Sequence, residues 1–337
     1  MREAFGTTAE GETVERVTIA GGGLTAKVLT WGTAIQDLHL EGHEPPLVLG
    51  FRRFEDYPAF SPYFGATAGR CANRIGGGRF AIDGVIFQTD TNFLGKHALH
   101  GGAHGTGKRN WSIADLGTDQ IRLEIDLADG EMGFPGNALL ACTYVLQDGA
   151  LKVLYEATTD APTLMNLAHH SYFNLEDGGA SDVLGHRIRI DAEVITATDD
   201  ELIPTGALEL VGGTPFDFRS IRPVRSETPT GPFAHDINYC VGHTREGLRT
   251  VARVEAPTSG LAMEVLTTEP GLQLYTGSKL AGRPADGLLG RPYQAFAGLA
   301  LEAQLWPDAP NHPHFPSAVL RPGETYAQET RYRFSWA

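Results

Sequence analysis

Short β-like runs follow one another along the whole chain, and they constrain its fold more than any other feature. The run Ile121–Leu127 alternates apolar and polar residues without a break, which is typical of an antiparallel strand with one buried face. Less regular runs occupy residues 24–30, 34–40, 151–156, 186–190, 250–255, 261–267 and 332–336. The chain has 41 glycines and 20 prolines, which separate these runs at the short intervals that sandwiches and barrels require. The sequence therefore predicts an all-β protein built as a large antiparallel β-sandwich.

The number of domains follows from length and from the absence of boundaries. A chain of 337 residues is long enough for two average domains or for one large all-β domain. No linker, low-complexity tract or repeat of fixed period divides it, and the strongest helical signal is a short turn at residues 52–60. We expect a single domain spanning residues 1–337.

Charge and cysteine content narrow the class of partner and the compartment. The net charge of −14 argues against nucleic acid and anionic membranes as partners. Three widely spaced cysteines without a CxxC motif suggest neither a disulfide framework nor a zinc cluster. The first residues lack an apolar signal segment, and no run reaches transmembrane length. We expect a cytoplasmic monomer or homodimer with no nucleic-acid or membrane partner.

A single carboxylate, Glu302, interrupts the apolar run that begins at Leu299. Burial raises the pKa of a carboxyl group, and a poised carboxylate at a pocket wall can act as a general base. The alternative is a glutamate on the solvent-exposed face of a strand, paired with an arginine. Four prolines between Trp306 and Ser317 make the following loop stiff, which favours a fixed site beside this strand.

The glycine-rich stretch at residues 69–78 carries Arg70, Asn73 and Arg74. Glycines let a backbone approach a ligand closely, so these polar groups are candidates for substrate binding. A phosphate cradle is disfavoured because the GxGxxG pattern and a following helix are both missing. The alternative is a structural loop whose arginines bind backbone carbonyls.

Histidines form two further clusters. His100 stands on a tight glycine turn, and its neighbours His97 and His104 raise the question of zinc. The turn argues against a metal site, because metal ligands need a defined scaffold. His169 and His170 are adjacent in a predicted strand, so their side chains should point to opposite faces.

His170 shares its predicted face with Tyr172 and Asn174. A histidine that titrates near neutral pH beside polar and aromatic neighbours suits a general acid. The alternative is a core histidine that is hydrogen-bonded to the backbone.

Sugar-binding groups are suggested by the last cluster. Asp236 and Gln273 offer hydrogen bonds of the kind that hold sugar hydroxyls. Tyr275, Trp306 and Phe315 are candidate apolar platforms for a pyranose ring. Each of these residues alone is more typical of a turn or of the core.

Taken in order and at their spacing, these stretches resemble the aldose 1-epimerase (galactose mutarotase) family over nearly the whole chain. The motifs that carry the resemblance are ANRI at 72–75, LHGG at 99–102, HSYFNL at 170–175, LIPTG at 202–206, PFDFR at 215–219 and TTEPGLQLYTG at 267–277. The resemblance implies a galactose mutarotase-type sandwich that binds a sugar in an open cleft without a cofactor or metal.

The resemblance also assigns roles to residues. His170 would be the general acid, Glu302 the general base, and His100 would assist at the ring oxygen. Four residues would hold the substrate: Asn73, Arg74, Asp236 and Gln273. The implied reaction interconverts the anomers of glucose, galactose or a pentose by opening and closing the ring. An imidazolium and a carboxylate on opposite sides of the C1–O5 bond would move the protons.

Two other functions stay open at this point. One is a non-catalytic sugar-binding module or sensor of the same fold. The other is a glycosidase, in which Asp236 and Glu302 would flank a glycosidic bond. Cys71, His97, His169 and Ile237 depart from the family pattern. We expect these departures to touch the residues that hold the sugar, which leaves the identity of the aldose open.

Overall fold

The computed structural model describes residues 1–336, which form many short strands and little helix. The first strands are β1 (Arg2–Thr7), β2 (Thr13–Gly21), β3 (Leu24–Leu29), β4 (Ile35–Leu40), β5 (Thr67–Ala68), β6 (Arg74–Ile75), β7 (Arg79–Ile82), β8 (Val85–Gln88), β9 (Ala98–Leu99) and β10 (Ser112–Leu116). The middle strands are β11 (Gln120–Leu127), β12 (Ala138–Gln147), β13 (Ala150–Thr159), β14 (Thr163–Leu164), β15 (Ala168–His169), β16 (Tyr172–Phe173), β17 (Arg187–Ile190), β18 (Val194–Thr198), β19 (Pro204–Leu210) and β20 (Arg222–Pro223). The last strands are β21 (Glu227–Thr228), β22 (Gly231–Pro232), β23 (Asp236–Cys240), β24 (Arg249–Glu255), β25 (Leu261–Thr267), β26 (Gly271–Tyr275), β27 (Leu299–Gln304), β28 (Val319–Leu320) and β29 (Tyr326–Trp336).

Helical structure is confined to short pieces. The helix α1 spans Asp56–Phe60, inside the stretch where the sequence predicted a short helical turn. Single 3₁₀ turns occupy Gly76–Gly78, Thr106–Lys108, Glu131–Gly133 and Ala309–Asn311. No helix within residues 1–336 is long and apolar enough to cross a membrane.

Two large antiparallel sheets and an N-terminal sheet make up the body of the molecule. The nine-stranded sheet has the order β10-β11-β12-β13-β29-β25-β24-β17-β20, and the six-stranded sheet has the order β16-β27-β26-β23-β18-β19. The strands β1 to β4 form a separate four-stranded sheet. This arrangement confirms the predicted all-β antiparallel sandwich.

The main core lies between the sheets and is filled by alternate residues of their strands. In β11, Ile121 and Leu123 are fully buried while the residues between them are partly exposed, as the alternation predicted. They join Val153 from the nine-stranded sheet and Leu272 and Leu301 from the six-stranded sheet in one continuous cluster. Removal of these apolar side chains from water is the main force that holds the sheets together.

The strand predictions were accurate where one face is polar and incomplete elsewhere. The predicted runs at 24–30 and 34–40 are β3 and β4, which pair as a hairpin. The final strand β29 is six residues longer at its start than the predicted run at 332–336. The strand β12 was not predicted because apolar residues occupy both of its faces, which removes the alternation.

The core position of Leu272 gives a test of this packing. Leu272 is 0 % exposed in β26, whereas Leu210 on β19 is 70 % exposed. We expect Leu272→Ala to lower the free energy of unfolding by about 2–5 kcal/mol, because it leaves a cavity in the core. Leu210→Ala should change it by less than about 0.5 kcal/mol. Equilibrium unfolding in guanidinium chloride measures both, and equal losses would contradict the assignment of the core.

Candidate active site

One row of side chains crosses three neighbouring strands of the six-stranded sheet. Asn238 in β23 lies directly opposite Gln273 in β26, which lies opposite Glu302 in β27. Because side chains alternate along a strand, Leu301 and Ala303 point into the main core. Glu302 therefore points to the other face of the sheet, where it is only 2 % exposed. Glu302 is therefore buried, as its position in an apolar run predicted.

Two loops bring Asn73 and His100 against each other over this face. The backbone N–H of His100 donates to the carbonyl oxygen of Asn73 at 2.9 Å. In return, the backbone N–H of Asn73 donates to Nδ1 of His100 at 3.1 Å. Gly101 follows in a left-handed conformation, and a side chain there would collide with the carbonyl oxygen of Gly69. The glycine turn after His100 therefore serves to bring these loops together.

His170 lies beside Glu302 at the bottom of the site. The distance from Nε2 of His170 to Oε2 of Glu302 is 3.5 Å, and both side chains are almost completely buried. The ring of His100 stands edge-on to the ring of His170, with 5.2 Å between their centres. The structure thus brings together all three residues that the resemblance implied as catalytic.

The four residues implied to hold the substrate form a connected polar network. Arg74 donates to Oδ2 of Asp236 at 3.3 Å and to Oδ1 of Asn73 at 3.2 Å. Nε2 of Gln273 donates to Oδ1 of Asp236 at 2.7 Å. Both oxygens of Asp236 are therefore engaged, which fixes the position of this carboxylate beside the row that ends in Glu302.

Burial works against charge on the two central residues. It raises the pKa of Glu302 to about 8, and the nearby charge of Asp236 adds to this rise while Arg74 opposes it. Burial also lowers the pKa of His170 to about 4. The expected pair of imidazolium and carboxylate is thus disfavoured, and the single proton of the pair rests on Glu302. The ion pair and the neutral pair each hold one transferable proton and differ only in which residue carries it.

The tautomer of His100 follows from its hydrogen bond. Nδ1 accepts a backbone N–H, so the proton of the neutral ring is on Nε2. Burial lowers the pKa of His100 well below its ordinary value, and the charges of neighbouring basic residues add to this effect. His100 therefore presents a neutral N–H donor toward the site.

The same tautomer bears on metal binding. Ligand atoms of His100, His170 and Glu302 lie within 4.8 Å of one another, close enough to hold an ion. A metal needs an unprotonated nitrogen, and the one nitrogen of His100 that faces the site carries the proton. The three residues thus fit a metal poorly. The other zinc candidate fails because His97 is bound to the N–H of Gly77 and to Glu201.

Several candidates from the sequence have structural roles away from the site. Arg70 donates to the carbonyl oxygens of Ala128, Pro135 and Gly136, which is the structural alternative weighed for this loop. Asn174 binds the carbonyls of Ser181 and Ala297. The sequence predicted that Tyr172 and Asn174 share the face of His170. Of these two residues, only Tyr172 contacts His170, with ring centres 5.0 Å apart.

The candidate sugar platforms divide in the same way. Tyr275 lies opposite Asp236 across β23 and β26, on the face of the site. Trp306 and Phe315 pack against each other in a separate small cluster with their ring centres 5.1 Å apart. Trp306 is buried, and its indole N–H donates to the carbonyl of Pro270. These two aromatic residues are therefore core residues, and their interpretation as platforms was wrong.

The four departures from the family pattern also point away from the site. Ile237 belongs to the main core and Cys71 to a satellite apolar cluster. His169 contacts Tyr144 and Tyr332 on the side opposite His170, as the adjacency of the two histidines predicted. His97 binds the N–H of Gly77 and Glu201, so the recorded side-chain hydrogen bonds of the two histidines go to residues other than the four implied to hold the sugar.

Two residues of the site were not found from the sequence. The ring of Tyr63 lies 4.6 Å from that of His100 and 5.8 Å from that of His170, measured between centres. Nζ of Lys108 lies 5.2 Å from the centre of the Tyr63 ring, and partial burial lowers the pKa of Lys108. Both residues sit in loops whose path depends on tertiary packing, so no periodic pattern marks them.

The fold and this cluster define a β-sandwich protein with a buried histidine–glutamate pair beside a polar network. A family model described as aldose 1-epimerase matches residues 15–333. Over 333 residues the chain is 39% identical to galactose mutarotase of Mus musculus, with 97% of this chain and 96% of that protein covered. It is 35% identical over 323 residues to aldose 1-epimerase of Escherichia coli K12, covering 93% and 92%. The chain belongs to the aldose 1-epimerase family.

Solved structures agree with this assignment. An aldose epimerase homologue from C. elegans superposes with a TM-score of 0.88 at 32% identity, covering 96% of this chain and 99% of that one. Galactose 1-epimerase from Lactobacillus acidophilus superposes with a TM-score of 0.84 at 24% identity, covering 100% and 98%. The sandwich is thus a shared architecture.

The buried position of His170 predicts an unusual titration. We expect its ring to stay neutral until the pH falls to about 4, because burial disfavours the imidazolium. Nitrogen chemical shifts of the imidazole measure this directly, and the loss of the signal in His170→Gln identifies it. Titration near the ordinary histidine value of about 6.5 would contradict the described environment.

Proposed function

We propose that this protein is an aldose 1-epimerase, which interconverts the α and β anomers of a free aldose. The observation that carries the proposal is the 3.5 Å approach of His170 Nε2 to Glu302 Oε2 beside the polar network of Arg74, Asp236 and Gln273. The two oxygens that exchange protons during ring opening, O1 and O5, are bonded to the same carbon. An acid and a base that serve them must therefore be close neighbours, as these two are.

The reaction follows from two proton transfers. Glu302 takes the proton of the C1 hydroxyl while His170 gives a proton to O5, and the C1–O5 bond breaks to leave an aldehyde. The aldehyde turns its other face, and reversal of the two transfers closes the ring in the other anomer. The Nε2–H group of His100 assists as a donor at O5. No atom is oxidised and no water is added, so the proposed chemistry requires neither a cofactor nor a metal.

The proton must change places when substrate binds, because the pKa values place it on Glu302. The neutral pair and the ion pair differ only by transfer of that proton across the 3.5 Å contact. Each arrangement contains one acid and one base, so both can open the ring. By microscopic reversibility, each residue acts as acid in one direction and as base in the other.

The polar network would hold the sugar at hydroxyls remote from C1. Arg74 and Gln273 both donate to Asp236, so each of the three is already oriented before substrate arrives. Orientation of this kind lowers the entropic cost of binding. A grip on remote hydroxyls leaves C1 free to rotate, which the change of aldehyde face requires.

The alternatives considered from the sequence fit the site less well. A glycosidase would need Asp236 free to act on the glycosidic bond as the partner of Glu302, but both oxygens of Asp236 already accept hydrogen bonds from Arg74 and Gln273. A non-catalytic sugar-binding module would not need His170 and Glu302 in contact.

The substrate and setting are the finer parts of the proposal. We propose hexoses such as galactose and glucose as substrates, since the Mus musculus relative is named galactose mutarotase. The protein would act in the cytoplasm, as one domain and as a monomer or homodimer. Its three cysteines are buried and unpaired, and burial raises the pKa of the Cys71 thiol to about 12. Thiols of this kind suit a reducing compartment.

Replacement of the base is the first test. We expect Glu302→Gln to lower kcat by about a hundredfold or more, because the amide cannot accept the C1 hydroxyl proton. Sugar affinity should change little, because Arg74, Asp236 and Gln273 remain. Polarimetry on freshly dissolved α-anomers gives the rate, and calorimetry gives the affinity.

The matched control is Glu209→Gln, which makes the same change on an exposed residue of β19. Unchanged turnover in Glu302→Gln would refute the role of Glu302 as base. If the wild-type protein binds aldoses but does not speed the approach to the equilibrium rotation, it is a binding module instead.

The pH dependence tests the shared proton. The pair is active when it holds one transferable proton. Below pH about 4 the pair gains a second proton, on His170, and above pH about 8 it loses its only one, from Glu302. Activity should fall on both sides. We therefore expect a plateau of kcat/KM between these values, after subtraction of the uncatalysed rate at each pH. A rate that continues to rise well above pH 8 would contradict the assignment.

A further inference from the structure

The strand that carries Glu302 lacks a neighbouring strand at the level of the site. On one edge, residues 300–304 of β27 pair with β26. On the other edge, β16 pairs only with Leu299 and Ala300. Within residues 1–336, no strand pairs with residues 301–304 on that second edge.

Side chains from the opposite sheet take the place of the missing strand. The hydroxyl of Tyr332 donates to the carbonyl oxygen of Leu301 at 2.8 Å. Nε2 of Gln328 donates to the carbonyl oxygen of Ala303 at 2.9 Å. These carbonyls belong to the residues on either side of Glu302. Tyr332 and Gln328 are both in β29 and are 0 % and 4 % exposed.

The same side chains reach the segment that carries His170. The hydroxyl of Tyr326 donates to Oε1 of Gln328 and accepts the backbone N–H of Leu167, three residues before His170. The ring of Tyr332 lies 5.6 Å from the ring of His169, measured between centres. The β29 side chains thus connect the backbone beside the base to the backbone beside the acid.

The hydrogen bonds from Tyr332 and Gln328 to the β27 carbonyls restrict where this backbone can lie. A buried carbonyl that loses its partner is strongly disfavoured, so the backbone around Glu302 is held where Tyr332 and Gln328 can reach it. Small displacements of reacting groups change rates strongly. The residues proposed to bind the sugar lie on other strands and do not depend on β29, so sugar binding should be less affected than the rate.

We propose that Tyr332 and Gln328 are positioning residues that set the separation of Glu302 and His170. The inference rests on the proposed function, because it assigns these residues to the geometry of that acid–base pair. They act through the backbone of β27 and through their contacts with the segment that carries His170.

The test compares Tyr332→Phe and Gln328→Leu with a matched control, Tyr293→Phe. Tyr293 is also buried, and its hydroxyl donates to the carbonyl oxygen of Gly50 at 3.0 Å, outside the β27 edge. Tyr332→Phe removes one oxygen atom and keeps the ring, so the variant retains the fold. Thermal melting of all three variants shows what each hydrogen bond contributes to stability.

We expect kcat to fall about tenfold or more in Tyr332→Phe and Gln328→Leu, with KM within about twofold of wild type. Tyr293→Phe should keep both constants while losing at least as much thermal stability, because its hydroxyl also accepts the backbone N–H groups of Gly50 and Leu288. The separation of kcat from KM distinguishes positioning of the pair from a general loss of structure.

Two results would overturn the inference while leaving the proposed function intact. One is wild-type kcat in both β29 variants. The other is a loss of kcat in Tyr293→Phe as large as in the β29 variants. If the wild-type protein does not speed mutarotation, the proposed function fails first and the positioning role falls with it.

Discussion

The contact between Glu302 and His170 is the interaction on which the account of this protein depends. Both side chains are buried, where charge is costly, and Nε2 of His170 lies 3.5 Å from Oε2 of Glu302. Burial raises the pKa of the carboxyl to about 8 and lowers that of the imidazole to about 4. Near neutral pH the pair therefore keeps one proton, which rests on Glu302, and its transfer to His170 is the change that substrate binding must favour.

The sandwich keeps this pair in place from several directions. The row of Asn238, Gln273 and Glu302 is set by the register of three antiparallel strands, which a one-residue slip would destroy. The loops with Asn73 and His100 are joined by reciprocal backbone hydrogen bonds. Rigid strands place the base, and glycine turns allow the loops to close over it. This division of roles suits a reaction that needs fixed proton donors and acceptors around a substrate that must rotate.

Much of this could be predicted from the sequence, for identifiable physical reasons. Alternation in residues 121–127 indicated half-buried strands, and the isolated Glu302 in an apolar run indicated a buried acid. The resemblance supplied the combination of distant motifs, which no local pattern contains. Tyr63 and Lys108 were missed because they enter the site from loops, and Trp306 was misread because an aromatic residue looks alike in a core and in a pocket. The pKa directions depend on burial, which only the folded chain defines.

Two-dimensional ¹H NMR exchange spectroscopy, applied to a sugar at anomeric equilibrium, tests the central claim most directly. In D₂O, ring opening by transfer at O1 and O5 moves no carbon-bound hydrogen. We therefore predict exchange cross-peaks between the α and β C1–H signals of galactose or glucose when the protein is added, with no loss of the C1–H or C2–H signals. Absence of exchange above the protein-free rate for any aldose, or replacement of C2–H by deuterium, would contradict the account.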